Sequence, residues 1–442
     1  MQPDIAIHCA RRDRVIEKMG AGVMILASAP EVIRNRDTHF PYRYDSHFHY
    51  LTAFPEPEAV LVLIAGNEPK QILFCREKNM EREIWDGFRF GPEAARERFH
   101  FDTTFAYDKL DEELPKLLEN QPALHYAIGF DAAWDARMLA WLNRVRSKTR
   151  TGITAPSTLL DARAIIDEMR LIKDAHELAL MQRAADISAA GHMAAQRACK
   201  PGMGEWEIEA ELLYHFRKNG CQAPAYTSIV AGGANACVLH YVGNDQPLHD
   251  GDLLLIDAAG EYHGYAADIT RTFPVNGRFS PPQRDLYEIV LAAQLAAIDA
   301  VKPGNTWNMP HDTALRVLTQ GLRDLKLLNG ELDGLIEQEA YKPFYMHKTG
   351  HWLGRDVHDA GEYKIAGEEG KLDWRILQAG MTLTVEPGLY IRPSEEVPKT
   401  FWNIGIRIED DVVVTEQGCH VMTAAAAKSV ADIEQAMAQG KN

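Results

Sequence analysis

Segment 251–273, GDLLLIDAAGEYHGYAADITRTF, carries one aspartate on each side of a turn bounded by glycines. The residues before Asp257 are apolar at both alternating positions, which indicates a strand that is buried on both faces. The turn centres on residues 262 and 263, so a hairpin here would set Asp257 roughly opposite Asp268. The segment therefore predicts two converging carboxylates inside a fold.

Two buried carboxylates a few ångströms apart cannot both ionise without a counter-charge, because desolvation and mutual repulsion each raise a carboxyl pKa. Such a pair either shares a proton or binds cations. A single aspartate at the end of a strand is more often a turn former or a solvated residue. The pair on one hairpin favours a functional site.

The chain has 442 residues, which exceeds one usual hydrophobic core and favours two domains. The first part alternates strand-like and helical segments: strands at 22–27, 58–65, 71–75 and 126–130, and helices at 111–118 and 132–145. The pattern changes near Glu168 to Lys173, where a capping box from Asp174 to Glu177 precedes a long amphipathic helix to about Ala198. We predict an α/β domain over residues 1–171 and an α+β domain over residues 172–442.

Helices are also expected at 205–219 and 285–301, and the chain becomes strand-rich after Tyr341. The formal charge of −16 gives no support to binding of nucleic acid or of an anionic membrane. The N-terminal residues have no run of signal-peptide type, so a cytoplasmic location is expected. Six scattered cysteines without a CxxC pattern indicate reduced, structural thiols.

Further acids can join the pair. The strand-like segment MTLTVEPG ends in Glu386, and in GIRIEDDVVV the side chains of Arg407 and Glu409 fall on one face of a predicted strand. Arg407 could orient a neighbouring carboxylate. Taken alone, Glu409 and the two aspartates after it would be interpreted as a solvated charge run, and the presence of Arg407 weakens that alternative.

Three histidines, His347, His351 and His358, lie in MHKTGHWLGRDVHD, whose glycines predict a loop rather than a helix. One histidine there would more often be structural, but three in one loop favour a ligand among them. His240 is a separate candidate that spacing alone does not distinguish from a core histidine. Glycines 232 and 233 match no phosphate-loop pattern.

Four carboxylates and one imidazole form a hard, oxygen-rich set, which suits two divalent ions such as Mn²⁺ better than a sulfur-rich zinc site. Two such ions can acidify a water and stabilise the oxyanion that forms when it attacks a carbonyl. The sequence therefore predicts hydrolysis.

The motif DxxxxYxGYxxDITRTF, together with VEPG and RIED, resembles the pita-bread metallopeptidases (family M24), which include methionine aminopeptidase, prolidase and aminopeptidase P. The segments FPYRYDSHFHYLTAFPEPEAVLVLI, EIWDGFRFG, RTFPVNGRFSPPQRDLY and HWLGRDVHDAGEY are most similar to the aminopeptidase P branch, and the resemblance covers nearly the whole chain. It implies a creatinase/aminopeptidase P-like N-terminal domain, a creatinase/methionine aminopeptidase-like catalytic domain, and cleavage before proline in the second position of a peptide.

The resemblance also implies roles for individual residues. Asp257 would be a bidentate ligand of one metal, Asp268 and Glu409 would bridge, and His351 and Glu386 would bind the other metal. Glu386 would also shuttle a proton. Arg407 would hold Asp257, while His240 and His358 would face the substrate and its tetrahedral intermediate. His347 receives no role, because Lys348 and Thr349 depart from the family wording.

The resemblance implies a homodimer or homotetramer. Tyr390, and Trp85 from a neighbouring subunit, would form apolar walls for proline, although each could equally be an ordinary core aromatic. Prolidase, which cleaves the dipeptide Xaa-Pro, is the nearest alternative activity. An alternative of another class is a metal-free binding module, which the complete ligand set disfavours because crowded carboxylates without cations would destabilise the fold.

Overall fold

The computed structural model describes residues 4–367 and 370–440, and its chain divides into two compact units, one ending at Met169 and the next beginning at Arg170. The predicted boundary between 171 and 172 falls at the end of the helix Ala162–Leu171. All six cysteines are free, as the sequence indicated. Among the described residues, no helix is long and apolar enough to cross a membrane.

The first unit is α/β, as predicted. Its elements are α1 (Ile5–Met19), β1 (Gly22–Ala27), β2 (Ile33–Asn35), β3 (Thr38–His39), α2 (Ser46–Thr52), β4 (Val60–Ala65), β5 (Lys70–Cys75), α3 (Met80–Asp86), α4 (Gly91–Phe99), β6 (Thr103–Ala106), α5 (Leu110–Leu118), β7 (Ala123–His125), α6 (Ala132–Arg146), β8 (Thr158–Leu160) and α7 (Ala162–Leu171).

A six-stranded mixed sheet, in the order β6-β5-β4-β1-β7-β8, organises this unit. Alternate residues of β1 belong to two different hydrophobic clusters: Val23 and Ile25 to one, Met24 and Leu26 to the other. Side chains that alternate along a strand point to opposite faces, so both faces of the sheet are buried under apolar side chains.

One predicted strand of the first unit is wrong. Residues 126–130 are not extended, and the strand in this region is β7, which ends at His125. The N–H of Ile128 donates back to the carbonyl of Tyr126, and Gly129 adopts a φ of 84°, so the chain turns here. The apolar residues of this segment predict a strand, but they form the turn that follows β7.

The second unit is α+β, also as predicted. Its elements are α8 (Ala175–Ala198), α9 (Glu205–Lys218), β9 (Ala223–Pro224), β10 (Ile229–Gly232), β11 (Leu253–Asp257), β12 (Gly260–Tyr262), β13 (Tyr265–Ala266), β14 (Thr270–Pro274), α10 (Pro281–Asp299), α11 (Met309–Asp324), α12 (Leu332–Glu337), β15 (Lys364–Ala366), β16 (Leu372–Trp374), β17 (Thr382–Val385), β18 (Gly388–Ile391), β19 (Ile404–Arg407), β20 (Asp410–Val414), β21 (Cys419–Val421) and α13 (Val430–Gln439).

The long helix α8 begins where the sequence indicated. Asp174 caps it by accepting from the N–H of Glu177, and the Glu177 carboxylate accepts from the N–H of Asp174 in return. These two bonds satisfy backbone donors that would otherwise lack a partner at the helix start. The helix α9 confirms the next prediction to within one residue, and α10 begins four residues earlier than expected.

Antiparallel strands carry the acids of the second unit. One sheet has the order β10-β11-β14, another β17-β20-β21, and β18 pairs with β19. The predicted hairpin around 251–273 exists, but its outer strands β11 and β14 and its tip strands β12 and β13 belong to different sheets. Asp257 pairs with Thr270 rather than with Asp268. This register differs by two residues from the expected one, and a shift of two leaves each side chain on the same face of the hairpin.

Candidate active site

Five predicted ligands line one cavity of about 430 Å³ in the second unit: Asp257, Asp268, His351, Glu386 and Glu409. Asp257 ends β11, and Asp268 follows β13 just before β14. Glu386 directly follows β17, as MTLTVEPG indicated. Glu409 lies in the two-residue break between β19 and β20, whereas the sequence predicted that it shares a strand with Arg407. All four carboxylates therefore leave the ends of strands, where the backbone is free to turn them into the cavity.

Asp268, His351 and Glu409 each offer one ligand atom, and these atoms all lie within 4.8 Å of one another. His351 Nε2 is 3.4 Å from Asp268 Oδ2 and 3.8 Å from Glu386 Oε1. Its other ring nitrogen, Nδ1, is 2.9 Å from the carbonyl oxygen of Trp352. In the neutral ring this bond holds the proton on Nδ1 and leaves the Nε2 lone pair directed at the carboxylates, as metal-binding histidines require.

Tyr226, which was not predicted from the sequence, contacts both Asp257 and Asp268. The hydroxyl oxygen of Tyr226 is 2.6 Å from Asp257 Oδ1 and 2.5 Å from Asp268 Oδ1. Burial, together with the charges of Asp257 and Asp268, raises the pKa of Tyr226 well above its usual value, so it remains a hydrogen-bond donor. The tyrosine lies 31 residues before Asp257, at a position that no period or motif connected to the hairpin.

Arg407 contacts Asp257, as the family resemblance implied: its Nη2 donates to Asp257 Oδ2 at 2.7 Å. Nε donates to Thr270 Oγ1 at 3.2 Å, and the Thr270 hydroxyl donates in turn to Glu409 Oε2 at 2.6 Å. Nη1 lies 3.0 Å from the hydroxyl of Tyr390, which is fully buried and also lies 2.8 Å from His347 Nε2. The guanidinium thus links two carboxylates of the cavity, Asp257 directly and Glu409 through Thr270.

The charges of this cluster are unbalanced. Burial, followed by repulsion from Asp268, Glu386 and Asp257, raises the pKa of Glu409 well above its usual value. Burial also raises the pKa of Glu386 to about 7, against the opposing influence of His351 and Arg407. Burial alone would lower the pKa of His351, but the hydrogen bond to Asp268 and the charge of Glu386 carry it to about 9. Without added cations, the cluster therefore retains protons.

The donor atoms of the cluster and the groups that orient them suit divalent metals. The donors are carboxylate oxygens and one imidazole nitrogen, which are hard ligands, and cations would remove the repulsion that raises the carboxyl pKa values. The His351 ring is already oriented by its bond to Trp352, and Asp257 by Arg407. The residues fit divalent metal ions.

The supporting shell is also charged and buried. Asp410 and Asp411 follow Glu409 and are 0% and 1% exposed, so this run is not solvated and that alternative is wrong. Asp411 accepts from the N–H of Asp268 at 3.0 Å, while Asp410 accepts from Arg271 at 2.6 Å and from Lys428 at 2.6 Å. Arg271 also donates to the carbonyl oxygen of Glu409. Asp411 thus fixes the backbone of Asp268 directly, and Asp410 fixes that of Glu409 through Arg271. Asp268 and Glu409 are the two predicted bridging ligands.

The remaining predicted residues differ in their exposure to solvent. His240 and His358 are exposed and line the same cavity, so His240 is not a core histidine. The ring centroid of His358 is 4.3 Å from that of His351. Trp85 lies on α3 of the first unit with 82% of its surface exposed, and its role in a neighbouring subunit's site stays a prediction. Contact of Tyr390 with substrate is also still a prediction.

Comparison with known proteins gives two family matches. Residues 179–416 match the model for metallopeptidase family M24, and residues 8–126 match the model for the aminopeptidase P N-terminal domain. Xaa-Pro aminopeptidase of Haemophilus influenzae is 45% identical over 97% of this chain and 96% of its own length, and that of Escherichia coli is 43% identical over the same shares.

Solved structures agree with these matches. An aminopeptidase of Pseudomonas aeruginosa superposes with a TM-score of 0.97 at 48% identity, covering 100% of this chain and 99% of that one. Escherichia coli aminopeptidase P in a zinc-substituted form with product superposes with a TM-score of 0.96 at 42% identity, covering 100% of both chains.

Proposed function

Because this chain belongs to metallopeptidase family M24 and begins with the N-terminal domain of aminopeptidase P, we propose that it is an Xaa-Pro aminopeptidase. It is a metal-dependent hydrolase that releases the first residue of a peptide whose second residue is proline. The fold is the predicted one, an aminopeptidase P-like α/β domain followed by a pita-bread catalytic domain. The single observation that carries the activity is the cluster of Asp257, Asp268, His351, Glu386 and Glu409 in one cavity.

We propose that Asp257 and Asp268 hold one ion with Glu409, and that Asp268, Glu409, His351 and Glu386 hold the other. Bound there, two ions would acidify a water for attack on the peptide carbonyl and would stabilise negative charge on the carbonyl oxygen. Manganese is the proposed metal, because the donors are mostly carboxylate oxygens. The zinc-substituted form of the Escherichia coli relative supports a divalent-metal site.

The protein's own groups would do the remaining work. Glu386 lines the cavity and can accept a proton from the attacking water and return it to the proline nitrogen as that bond breaks. His240 and His358 stand at the exposed mouth of the same cavity, where their ring N–H groups can donate to the substrate carbonyl and to the developing oxyanion. Arg407 holds Asp257 in place throughout.

Proline in the second position forms a tertiary amide, which has no N–H for an enzyme to bind. Recognition must therefore come from the ring, and Tyr390 and Trp85 are the proposed apolar walls. A wall supplied by Trp85 of a neighbouring subunit requires a homodimer or homotetramer, which we propose together with a cytoplasmic location. We also propose that the catalytic domain begins at residue 172.

The test follows release of the first residue from the tripeptide Gly-Pro-Phe and, in parallel, from the dipeptide Gly-Pro. Chelator-stripped protein is assayed with and without added manganese. Metal-dependent cleavage of the tripeptide is expected. Cleavage of the dipeptide alone would indicate prolidase, and no cleavage of either peptide with no bound metal would indicate a binding module.

A further inference from the structure

A second cavity, of about 770 Å³, lies beside the catalytic cavity in the same unit and has a different lining. Its apolar lining side chains are three aromatic residues, Trp307, Tyr363 and Trp374, and three aliphatic ones, Pro310, Leu372 and Leu383. None of the five proposed metal ligands is among its lining residues in the described part of the chain. Lys348 and Gly350, however, line both cavities.

The aromatic wall is preformed. The ring centroids of Trp307 and Tyr363 are 4.6 Å apart, and both rings pack on the fully buried Trp352 at 4.1 and 5.7 Å. The N–H of Trp307 donates to the carbonyl of Arg375 at 2.8 Å, and the N–H of Arg375 donates to the carbonyl of Tyr363 at 3.0 Å. Backbone bonds therefore fix the wall, so little ordering is needed when a ligand enters.

Charge does not select the occupant of this cavity. Lys348 and Lys364 are balanced by Asp312 and Glu362 among the lining residues. The Lys364 ammonium lies 4.3 Å from the centre of the Trp374 ring, which leaves that ring engaged by the protein's own cation. An apolar or aromatic side chain matches this lining better than a charged group does.

Lys348 and Gly350, which line both cavities, belong to the segment 348–350, and hydrogen bonds and close packing hold this segment in place. The Thr349 hydroxyl lies 2.8 Å from His311 Nδ1 and 2.6 Å from the hydroxyl of Tyr345. The backbone carbonyl of Thr349 accepts from the N–H of Glu386 at 2.8 Å. Gly350 lies so close to β17 that a Cβ would collide with the carbonyl oxygen of Thr384. The segment thus lies flat against the strand that delivers Glu386.

Distance along the chain sets how much substrate can reach the second cavity. Lys348 is three residues from His351, so their Cα atoms are at most about 11 Å apart, which is the span of about three extended peptide residues. An aminopeptidase holds the N-terminal end of its substrate at the metals, and the rest of the peptide must run outward. A substrate that leaves past Lys348 brings its fourth or fifth residue to the aromatic wall.

We propose that the aromatic cavity binds an apolar or aromatic side chain of the substrate three to four residues after the cleaved bond. This inference rests on the proposed function and adds to it a preference for longer peptides with such a residue at that distance. The occupant is the part of the substrate that follows the cleaved bond, because the two cavities share Lys348 and Gly350.

The experiment uses the manganese-loaded protein and the hexapeptide Gly-Pro-Gly-Gly-Gly-Gly, in which phenylalanine replaces glycine in turn at positions three to six. Burial of the phenyl ring is expected to lower KM about tenfold at position four or five, with little change in kcat. Gly-Pro-Phe is the internal reference in every assay, so the measured quantity is the ratio of the KM values of the long and short peptides.

Two variants remove the wall in different ways. Trp374→Ala and Leu372→Ser are each expected to reduce the phenylalanine advantage to about threefold or less, since the apolar surface that buries the ring is smaller. Leu372 is 65% exposed, so its substitution leaves the hydrophobic core intact. The matched control is Trp206→Ala on α9, where a tryptophan that is 52% exposed lies outside both cavities. This control should keep the full advantage.

If the protein cleaves Gly-Pro-Phe but KM does not depend on the position of phenylalanine in the hexapeptide, the inference is overturned and the proposed function stands. The same conclusion follows if both wall variants keep the advantage, or if Trp206→Ala loses it equally. Absence of cleavage of Gly-Pro-Phe itself would reject the proposed function, and the inference with it.

Discussion

Arg407 donates from Nη2 to Asp257 Oδ2 over 2.7 Å, and the guanidinium is almost completely buried. The same group reaches Thr270 with Nε and the Tyr390 hydroxyl with Nη1. It therefore sets the orientation of one proposed metal ligand and, through Thr270, of a second, Glu409.

Arg407→Lys should keep the positive charge but lose this fan of hydrogen bonds. We expect activity on Gly-Pro-Phe, or the affinity for manganese, to fall about 10- to 100-fold, as is usual when the partner of a metal ligand is removed. Titration of activity with manganese separates the two effects. Arg316→Lys on α11 is the control, because that side chain is 58% exposed and should tolerate the change. Unaltered metal affinity and activity in Arg407→Lys would show that Asp257 needs no such support.

Asp268→Asn should have opposite effects on the metal-free and the metal-loaded protein. Burial raises the pKa of Asp268, so its charge destabilises the metal-free fold, and the amide should raise the melting temperature of that form. The wild-type protein should gain about 2.7 kcal/mol when manganese is present at 100 times its Kd, and the variant should lose most of that gain together with its activity. Calorimetry with and without metal measures both effects.

Asp285→Asn on the exposed surface of α10 is the control for this substitution. It should change neither the metal-free melting temperature nor the metal-induced gain. An Asp268→Asn protein that still gains full stability from manganese would remove Asp268 from the ligand set.

The stability of the metal-free protein should fall as the pH rises from 6 to 8. Burial raises the pKa of Glu386 from 4.5 to about 7 in the folded state, so folding favours the protonated carboxyl, and this contribution is lost as the pH passes through 7. His351 adds to this fall, because its pKa is raised from 6.5 to about 9 in the folded state, so the unfolded chain releases this proton over the same window while the folded chain keeps it. We expect a loss of at least about 1 kcal/mol in chelator-treated protein.

The metal-loaded protein should show the reverse trend, since ions bind the deprotonated carboxylates and compete with protons. Denaturant unfolding at pH 6, 7 and 8 compares the two forms. Parallel pH profiles for stripped and loaded protein would contradict the assignment of Glu386 as a metal ligand.

A second buried ion cluster should control acid stability. Asp359 is 3.0 Å from Lys173 Nζ and 2.5 Å from Arg170 Nη2. Burial opposes its ionisation, but Lys173 and Arg170 outweigh burial and hold its pKa at about 2, below the usual 3.8. A lowered carboxyl pKa contributes stability above pH 4 that is lost as the pH falls through 2, and here that contribution is about 2 kcal/mol.

Asp359→Asn should destabilise the protein by about 3–5 kcal/mol at pH 7, because it removes the carboxylate that pairs with the buried Lys173 and leaves Arg170 with Asp356 alone. The dependence of stability on pH between 5 and 3 should weaken at the same time. Asp333→Asn is the matched control, since Asp333 pairs with Arg316 on the surface with 75% of its side chain exposed, and its loss should cost about 1 kcal/mol or less. Equal losses in the two variants would refute the buried-cluster account.

The sequence identified the acids because buried strands and their exits are local features. Asp257 ends the apolar strand β11, Glu386 directly follows β17, and the capping box of Asp174 and Glu177 marks the start of a helix. The register of the 251–273 hairpin was off by two residues, yet the acids still share one face because strand side chains alternate. Local patterns therefore brought the proposed ligands to one face even though the predicted pairing was wrong.

Other residues needed the tertiary structure. Tyr226 meets Asp257 and Asp268, Asp359 meets Lys173 186 residues away, and Asp410 meets Lys428, but none of these pairs has a spacing that signals contact. The burial of Asp410 was equally hidden, because an acidic run at a strand end usually faces solvent. The break between β19 and β20 that turns Glu409 inward depends on hydrogen bonds to Thr270 and Pro387, which no strand pattern reveals.

A manganese titration of chelator-stripped protein, monitored by hydrolysis of Gly-Pro-Phe, tests the proposed two-metal site. We expect no hydrolysis without metal, recovery on addition of manganese, and full activity when two ions are bound per chain. Hydrolysis that persists in the stripped protein, or that is complete with a single ion bound, would contradict a two-metal site built from Asp257, Asp268, His351, Glu386 and Glu409.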